Sequence, residues 1–227
     1  MKFFTYLWYF FYIAFNWSIR LAFFILYYEV KGEKKYRINT THFSSLRKFT
    51  IKSDNVDEAT QYQPANYYML EKCFDELQKY QLKSLVDFGS GKGRVLAVAA
   101  YYNFKRIRGV EFAAELCRDA EENIRRIAHL YPDAWFQILN MDAVDYEIAE
   151  DDEVFFFFNP FSEKIMSKVL SNLLNSLSKT PRKVFVVYVN PLYKKLFTEN
   201  GFHEIYHHKK FHLIEASILT NKLNQLL

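Results

Sequence analysis

Residues 84–94 read SLVDFGSGKGR. Ser84–Phe88 is a short apolar run of buried-strand type, and 91–102 is rich in Ala and Val at helical spacing. Between them lie glycines at 89, 91 and 93, each able to turn tightly and approach a ligand with no Cβ in the way. A loop placed after a strand and before a helix is where open parallel sheets bind ligands. The stretch therefore predicts the first strand–loop–helix unit of an α/β domain.

The same alternation continues downstream. Strand-like runs occupy 106–111, 135–139, 153–158 and 183–189. A charged amphipathic helix is expected over 113–129, and another over 163–177 with Ile165, Val169, Leu173 and Leu177 on one face. Strands alternating with helices predict a parallel sheet covered on both faces. The end differs: 202–206 and 211–219 are strand-like and separated only by 207–210, which reads as a hairpin. No internal repeat is visible. The expected fold is α/β, a Rossmann-like doubly wound, mostly parallel sheet with an antiparallel C-terminal hairpin over residues 61–227. A hydrophobic N-terminal helix with a basic flank (1–38) and a polar linker (39–60) precede it.

Composition agrees with one folded domain. Of 227 residues, half are hydrophobic and a quarter charged, while six Gly and five Pro exclude collagen-like or low-complexity chains. The net charge of +4 is too weak to argue for nucleic acid, and no nucleic-acid partner is expected. Residues 1–56 hold nine Lys/Arg against three Asp/Glu, so the basic excess is N-terminal and the remainder is slightly acidic. Cys73 and Cys117 fall in helical segments without metal-ligand spacing and read as buried reduced thiols of a cytosolic protein.

Residues 3–28, FFTYLWYFFYIAFNWSIRLAFFILYY, are almost wholly apolar or aromatic. About 20 such residues can cross a bilayer as a helix. Asn16, Ser18 and Arg20 interrupt the run, and Arg20 near mid-depth would be costly unless it snorkels. A cleaved signal peptide fits poorly, since the run is bulky and no small-residue cleavage site follows. Lys31, Lys34, Lys35 and Arg37 after it would set the body on the cytoplasmic side. The expectation is a membrane anchor, spanning or lying in the interface; the alternative is a helix packed on its own domain or a partner.

The loop chemistry separates two ligand classes. A dinucleotide fingerprint needs a small residue three positions after the second glycine; Arg94 stands there instead, and Asp87 at the strand end would repel a pyrophosphate. S-adenosylmethionine, with a sulfonium, an ammonium and no phosphate, suits the loop better. Asp87 can meet the ammonium and Gly89 can admit the methionine chain. Glu111, ending the second strand, can accept from both ribose hydroxyls. Asp142 can accept from the adenine amino group, with the Ala143 amide facing a ring nitrogen.

In DFGSGKGR, GVEF, MDA and FFFFNPF, taken in that order over residues 60–219, the chain resembles the class I S-adenosylmethionine-dependent methyltransferases. The resemblance implies cofactor contacts from Asp87, Gly89, Ser90, Gly91, Gly93, Glu111, Asp142 and Ala143. It places Asn159 and Pro160 at the acceptor, where two carbonyls can align an attacking nitrogen. The related Asn-Pro-Pro-aromatic motif is departed from at Phe161 and Ser162, and Asn159–Pro160 also reads as a plain strand-end turn. Gln61-Tyr62-Gln63-Pro64-Ala65 looks like an element of protein lysine methyltransferases that act on the ATP synthase c subunit, which implies Tyr62 and Pro64 as walls of the methyl-donor pocket. The acceptor could thus be a protein lysine or a small amine. His203, His207, His208 and His212 read as hairpin decoration, and no metal is expected. The rival functions are a non-catalytic scaffold at a membrane and an NAD-dependent enzyme.

Overall fold

The computed structural model describes residues 2–41, 63–158 and 161–222, with the backbone alone for 2–5. Strands β1 (Ser84–Phe88), β2 (Arg106–Glu111), β3 (Trp135–Asn140), β4 (Val154–Phe158) and β5 (Phe185–Val189) are parallel. Strands β6 (Phe202–Lys210) and β7 (Ile214–Asn221) form an antiparallel hairpin, giving one seven-stranded sheet in the order β3-β2-β1-β4-β5-β7-β6. The expected α/β sheet with its antiparallel C-terminal hairpin is thus present.

The pleat divides the core into two layers. Leu85, Ile107, Phe156 and Val187 face one side, under helices α3 (Tyr67–Leu77), α4 (Arg94–Tyr101) and α5 (Ala114–Ile127). Val86, Val110, Phe155, Phe157 and Tyr188 face the other, under α6 (Glu163–Lys179) and α7 (Lys194–Glu199). Five consecutive buried residues in β1 and in β5 are what a strand covered on both faces requires.

The hairpin turn differs from the sequence reading. Residues 207–210 continue β6, and the chain turns at 211–213, with Phe211 and His212 left-handed at φ 54° and 58°. The polar run 207–210 lies on an edge strand, where exposed charged side chains are ordinary. Polarity there marks an edge and not a turn.

The N-terminal segment departs further. Two helices, α1 (Lys2–Asn16) and α2 (Ile19–Tyr36), stand where one hydrophobic helix, spanning a membrane or lying on it, is expected. Ser18 is extended, and its hydroxyl accepts from the Leu21 amide at 3.2 Å, starting α2 afresh. Fifteen residues of α1 reach only about 22 Å, short of a hydrocarbon core of about 30 Å. Among the described residues no helix is long and apolar enough to cross a membrane.

Helix α2 instead docks on the domain through an unusual polar seam. Glu33 accepts from Tyr6 Oη at 2.5 Å, from the Thr40 and Thr41 amides at 3.1 and 3.0 Å, and from Thr41 Oγ1 at 2.6 Å. Burial alone would raise its carboxyl; these hydrogen bonds outweigh burial and hold it below the ordinary range. Gly32 lies so close to the Tyr67 ring that a Cβ there would come within 2.2 Å of it. Tyr36 stacks on the same ring at 5.4 Å. The expected polar linker falls largely in residues 42–60, outside the described residues.

Candidate functional site

β1 and β2 end side by side, with Asp87 opposite Gly109 in register. The chain leaves β1 through Gly89, Gly91 and Gly93, all at positive φ (78°, 53° and 78°). That conformation is strained for any residue with a Cβ, which is why glycines stand there. The Gly89 and Ser90 amides donate to the Val110 carbonyl at 2.8 and 3.1 Å, tying the loop across to β2.

Glu111 is buried where β2 ends. One of its oxygens accepts from the Gly91 amide at 2.9 Å and the other from the Ala113 amide at 3.0 Å. Its carboxyl is nevertheless pushed up, because burial outweighs those bonds. Asp87 is buried as well, and no hydrogen bond reaches its carboxyl among the described residues. Burial, with the nearby Glu111 carboxylate, pushes Asp87 well above the ordinary range. A cation bound beside these two carboxyls would offset the cost of ionising them, whereas a phosphate would add to it.

Ser90 turns its hydroxyl down toward β2. A Cβ on Gly109 would meet Ser90 Oγ at 2.7 Å, and that oxygen is buried without a hydrogen-bond partner among the described residues. Gly93 packs against Ala120, where an added Cβ would sit 3.3 Å from the Ala120 methyl. Asp142 follows β3 and caps a short turn, accepting from the Val144 amide at 3.1 Å; Ala143 beside it is buried. The structure thus brings Asp87, Gly89, Ser90, Gly91, Gly93 and Glu111 together around one loop, with Asp142 and Ala143 one strand further out. Pro64 is buried beside Ala65. Tyr62, Asn159 and Pro160 lie outside the described residues.

The residue that sequence reasoning missed is Arg94. It figured only as a misfit to a dinucleotide loop, yet it is the hub joining the loop to the N-terminal helices. Its guanidinium makes a two-pronged pair with Glu29, both N–O distances 2.7 Å, with only 3% and 1% of the two side chains exposed. It also donates to Thr40 Oγ1 at 2.7 Å and to the Ala65 carbonyl at 2.8 Å, and lies 4.0 Å from the centre of the Tyr67 ring. The glycine loop, the Pro64–Ala65 segment and α2 are therefore clamped by one side chain. The one signal in the sequence was Glu29, an acid placed directly after the aromatic run 3–28.

A cavity of about 260 Å³ opens at the C-terminal ends of β4 and β5. Phe158, Val189, Asn190, Pro64 and Asn66 line it together with Tyr9, Ile13 and Leu21 of the N-terminal helices. Among the described residues no group of three His, Cys, Asp or Glu side chains is placed to hold a metal. Instead, His207 pairs with Glu215 at 3.0 Å and His208 with the Tyr68 hydroxyl at 2.9 Å.

No protein-family model matches the chain, and no curated protein matches it. Solved structures do. An S-adenosylmethionine-dependent methyltransferase from Aquifex aeolicus superposes with a TM-score of 0.53 at 13% identity, covering 67% of this chain and 89% of that one. A putative RNA methyltransferase from Pyrococcus horikoshii gives 0.52 at 17%, covering 80% and 94%. The magnesium protoporphyrin IX methyltransferase of Synechocystis PCC 6803, solved with S-adenosylmethionine bound, gives 0.51 at 11%, covering 69% and 81%. Identities this low speak to the fold alone: the Rossmann-like α/β sheet of this chain is similar to that of these methyltransferases.

Proposed function

We propose that this chain is an S-adenosylmethionine-dependent methyltransferase acting on a nucleophilic acceptor, a nitrogen before oxygen or carbon. The observation that carries the reading is the pair of buried carboxyls, Asp87 and Glu111, flanking a loop of three positive-φ glycines. Such a site suits a ligand with an ammonium and free hydroxyls, and disfavours one with a pyrophosphate.

Asp87 would take the ammonium, and the remaining lone pairs of Glu111 the ribose hydroxyls. Asp142 and the Ala143 amide would meet the adenine. Bound there, S-adenosylmethionine supplies a methyl carbon on a sulfonium, whose C–S electron pair returns to sulfur as an acceptor lone pair displaces it. The chain's own task is alignment and the exclusion of water. The cavity beside Phe158 offers the acceptor a mostly apolar enclosure, and Asn159 and Pro160 follow Phe158 directly in sequence. If the acceptor is an amine, desolvation beside the cationic sulfonium favours its neutral, nucleophilic form, while the Glu215 carboxylate in the cavity wall pulls the other way. The likeness of Tyr62–Ala65 to lysine methyltransferases puts a protein lysine first among amines and a small amine second. Methyl transfer from labelled S-adenosylmethionine to a panel of proteins and small amines tests this. Asn159→Ala should leave cofactor binding intact and slow transfer; equal rates would remove Asn159 from the mechanism.

A further inference from the structure

The outward face of the α1–α2 hairpin has no role in the site above. It exposes Trp8, Phe11 and Phe15 from α1 and Phe23 and Tyr27 from α2, with Phe15 85% and Phe23 61% exposed. The face is continuous across both helices. Phe10 packs edge-on against Phe23 at 4.8 Å, and a shallow apolar groove of about 270 Å³ runs between them, lined by Tyr6, Leu7, Phe10, Phe23 and Leu26. A monomer rarely leaves so large an apolar patch in water.

Charge identifies what covers it. The hairpin's two carboxylates, Glu29 and Glu33, both point inward and are buried. Arg20, Lys31, Lys34 and Arg37 are exposed, so every exposed charge on the described residues of the hairpin is positive. A second copy of this face would set like charges together. A lipid surface with anionic headgroups matches both the apolar face and its basic border. Trp and Tyr side chains settle at that depth, and helices of this amphipathic kind lie in the interface plane. We propose that the hairpin is a peripheral membrane-binding element, lying in the headgroup region of an anionic bilayer and not crossing it. The inference stands independently of the methyltransferase reading.

The test is flotation of the full chain with vesicles of phosphatidylcholine containing about one-third phosphatidylglycerol, beside pure phosphatidylcholine, with salt raised roughly fivefold from about 0.1 M. The expected result is flotation with anionic vesicles, a blue shift of tryptophan emission, and at least a tenfold weaker association at high salt. Phe15→Ser/Phe23→Ser should weaken association on the order of tenfold or more, because the apolar area it removes is what inserts. Both rings are exposed, and circular dichroism checks the fold. Arg20→Glu/Lys34→Glu, which leaves the apolar face intact, should weaken it comparably. The proposal is overturned if the chain stays unbound with anionic vesicles, or if both variants float like the parent. It is equally overturned if sedimentation shows a dimer that Phe15→Ser/Phe23→Ser dissociates while vesicles capture nothing.

Discussion

Replacing Glu29 with Gln keeps the volume of the side chain and removes one charge from a pair that is almost wholly out of water. One carboxylate oxygen becomes an NH2 facing a guanidinium N–H, so one of two 2.7 Å bonds is lost and a repulsive contact replaces it. Arg94 would keep Thr40 Oγ1, the Ala65 carbonyl and the Tyr67 ring. Breaking a buried pair costs about 3–5 kcal/mol, and these remaining partners set the expectation at the lower end, about 3 kcal/mol. A domain stable by about 5–15 kcal/mol survives that loss and can be measured. Urea unfolding of the full chain at neutral pH, followed by circular dichroism and tryptophan fluorescence, reads it directly. Arg94→Gln alone should cost more, because the contacts to Thr40, Ala65 and Tyr67 go with the pair, and the double variant should lose at least about 1 kcal/mol less than the sum, because the partners share one interaction. A Glu29→Gln variant within about 0.5 kcal/mol of the parent, or strict additivity, would refute the clamp.

Gly32→Ala forces its new methyl onto the Tyr67 ring and should destabilise by about 1–3 kcal/mol; an unchanged melting temperature would contradict the tight α2–α3 contact. Gly93→Ala must hold a positive φ and press on Ala120, so a loss of about 1–2 kcal/mol is expected in the same unfolding assay, and none would question the loop conformation. Asp87→Asn should act in two directions: it stabilises the ligand-free protein by removing a buried charge, while weakening S-adenosylmethionine binding about tenfold or more, as calorimetry would show. A variant that binds normally would remove Asp87 from the site. The pH dependence follows from the same residue. Its folded pKa is raised above the unfolded value, so between the two the folded state holds the extra proton, and the ligand-free stability falls as pH rises through that window. Binding a cation favours the ionised carboxyl, so affinity should rise over the same window; affinity that falls with pH would contradict the assignment.

The sheet was legible in the sequence because its strands are buried on both faces. SLVDF and FVVYV leave few readings other than central parallel strands, and the boundaries of β1 and β2 coincide with those expected. The glycine loop was legible for the same local reason, since three closely spaced glycines between a strand and a helix need positive φ. Arg94 was not legible, because its partners Glu29 and Thr40 lie more than fifty residues away in sequence and only the fold brings them together. The N-terminal aromatic run misled through its mean character. Ser18 was visible as an interruption, but not that its hydroxyl starts a second helix, nor that Glu29 and Glu33 just beyond the run tie that helix to the domain. The turn after β6 was misplaced because exposed polar residues suit an edge strand as well as a loop.

The central claim is the ligand of the glycine loop. Calorimetric titration of the full chain with S-adenosylmethionine and, separately, NAD tests it most directly. The account predicts saturable binding of S-adenosylmethionine, its loss in Asp87→Asn, and none of NAD. Binding of NAD in its place would contradict the account, and binding of neither by a folded sample would leave a Rossmann-like scaffold as the function of this fold.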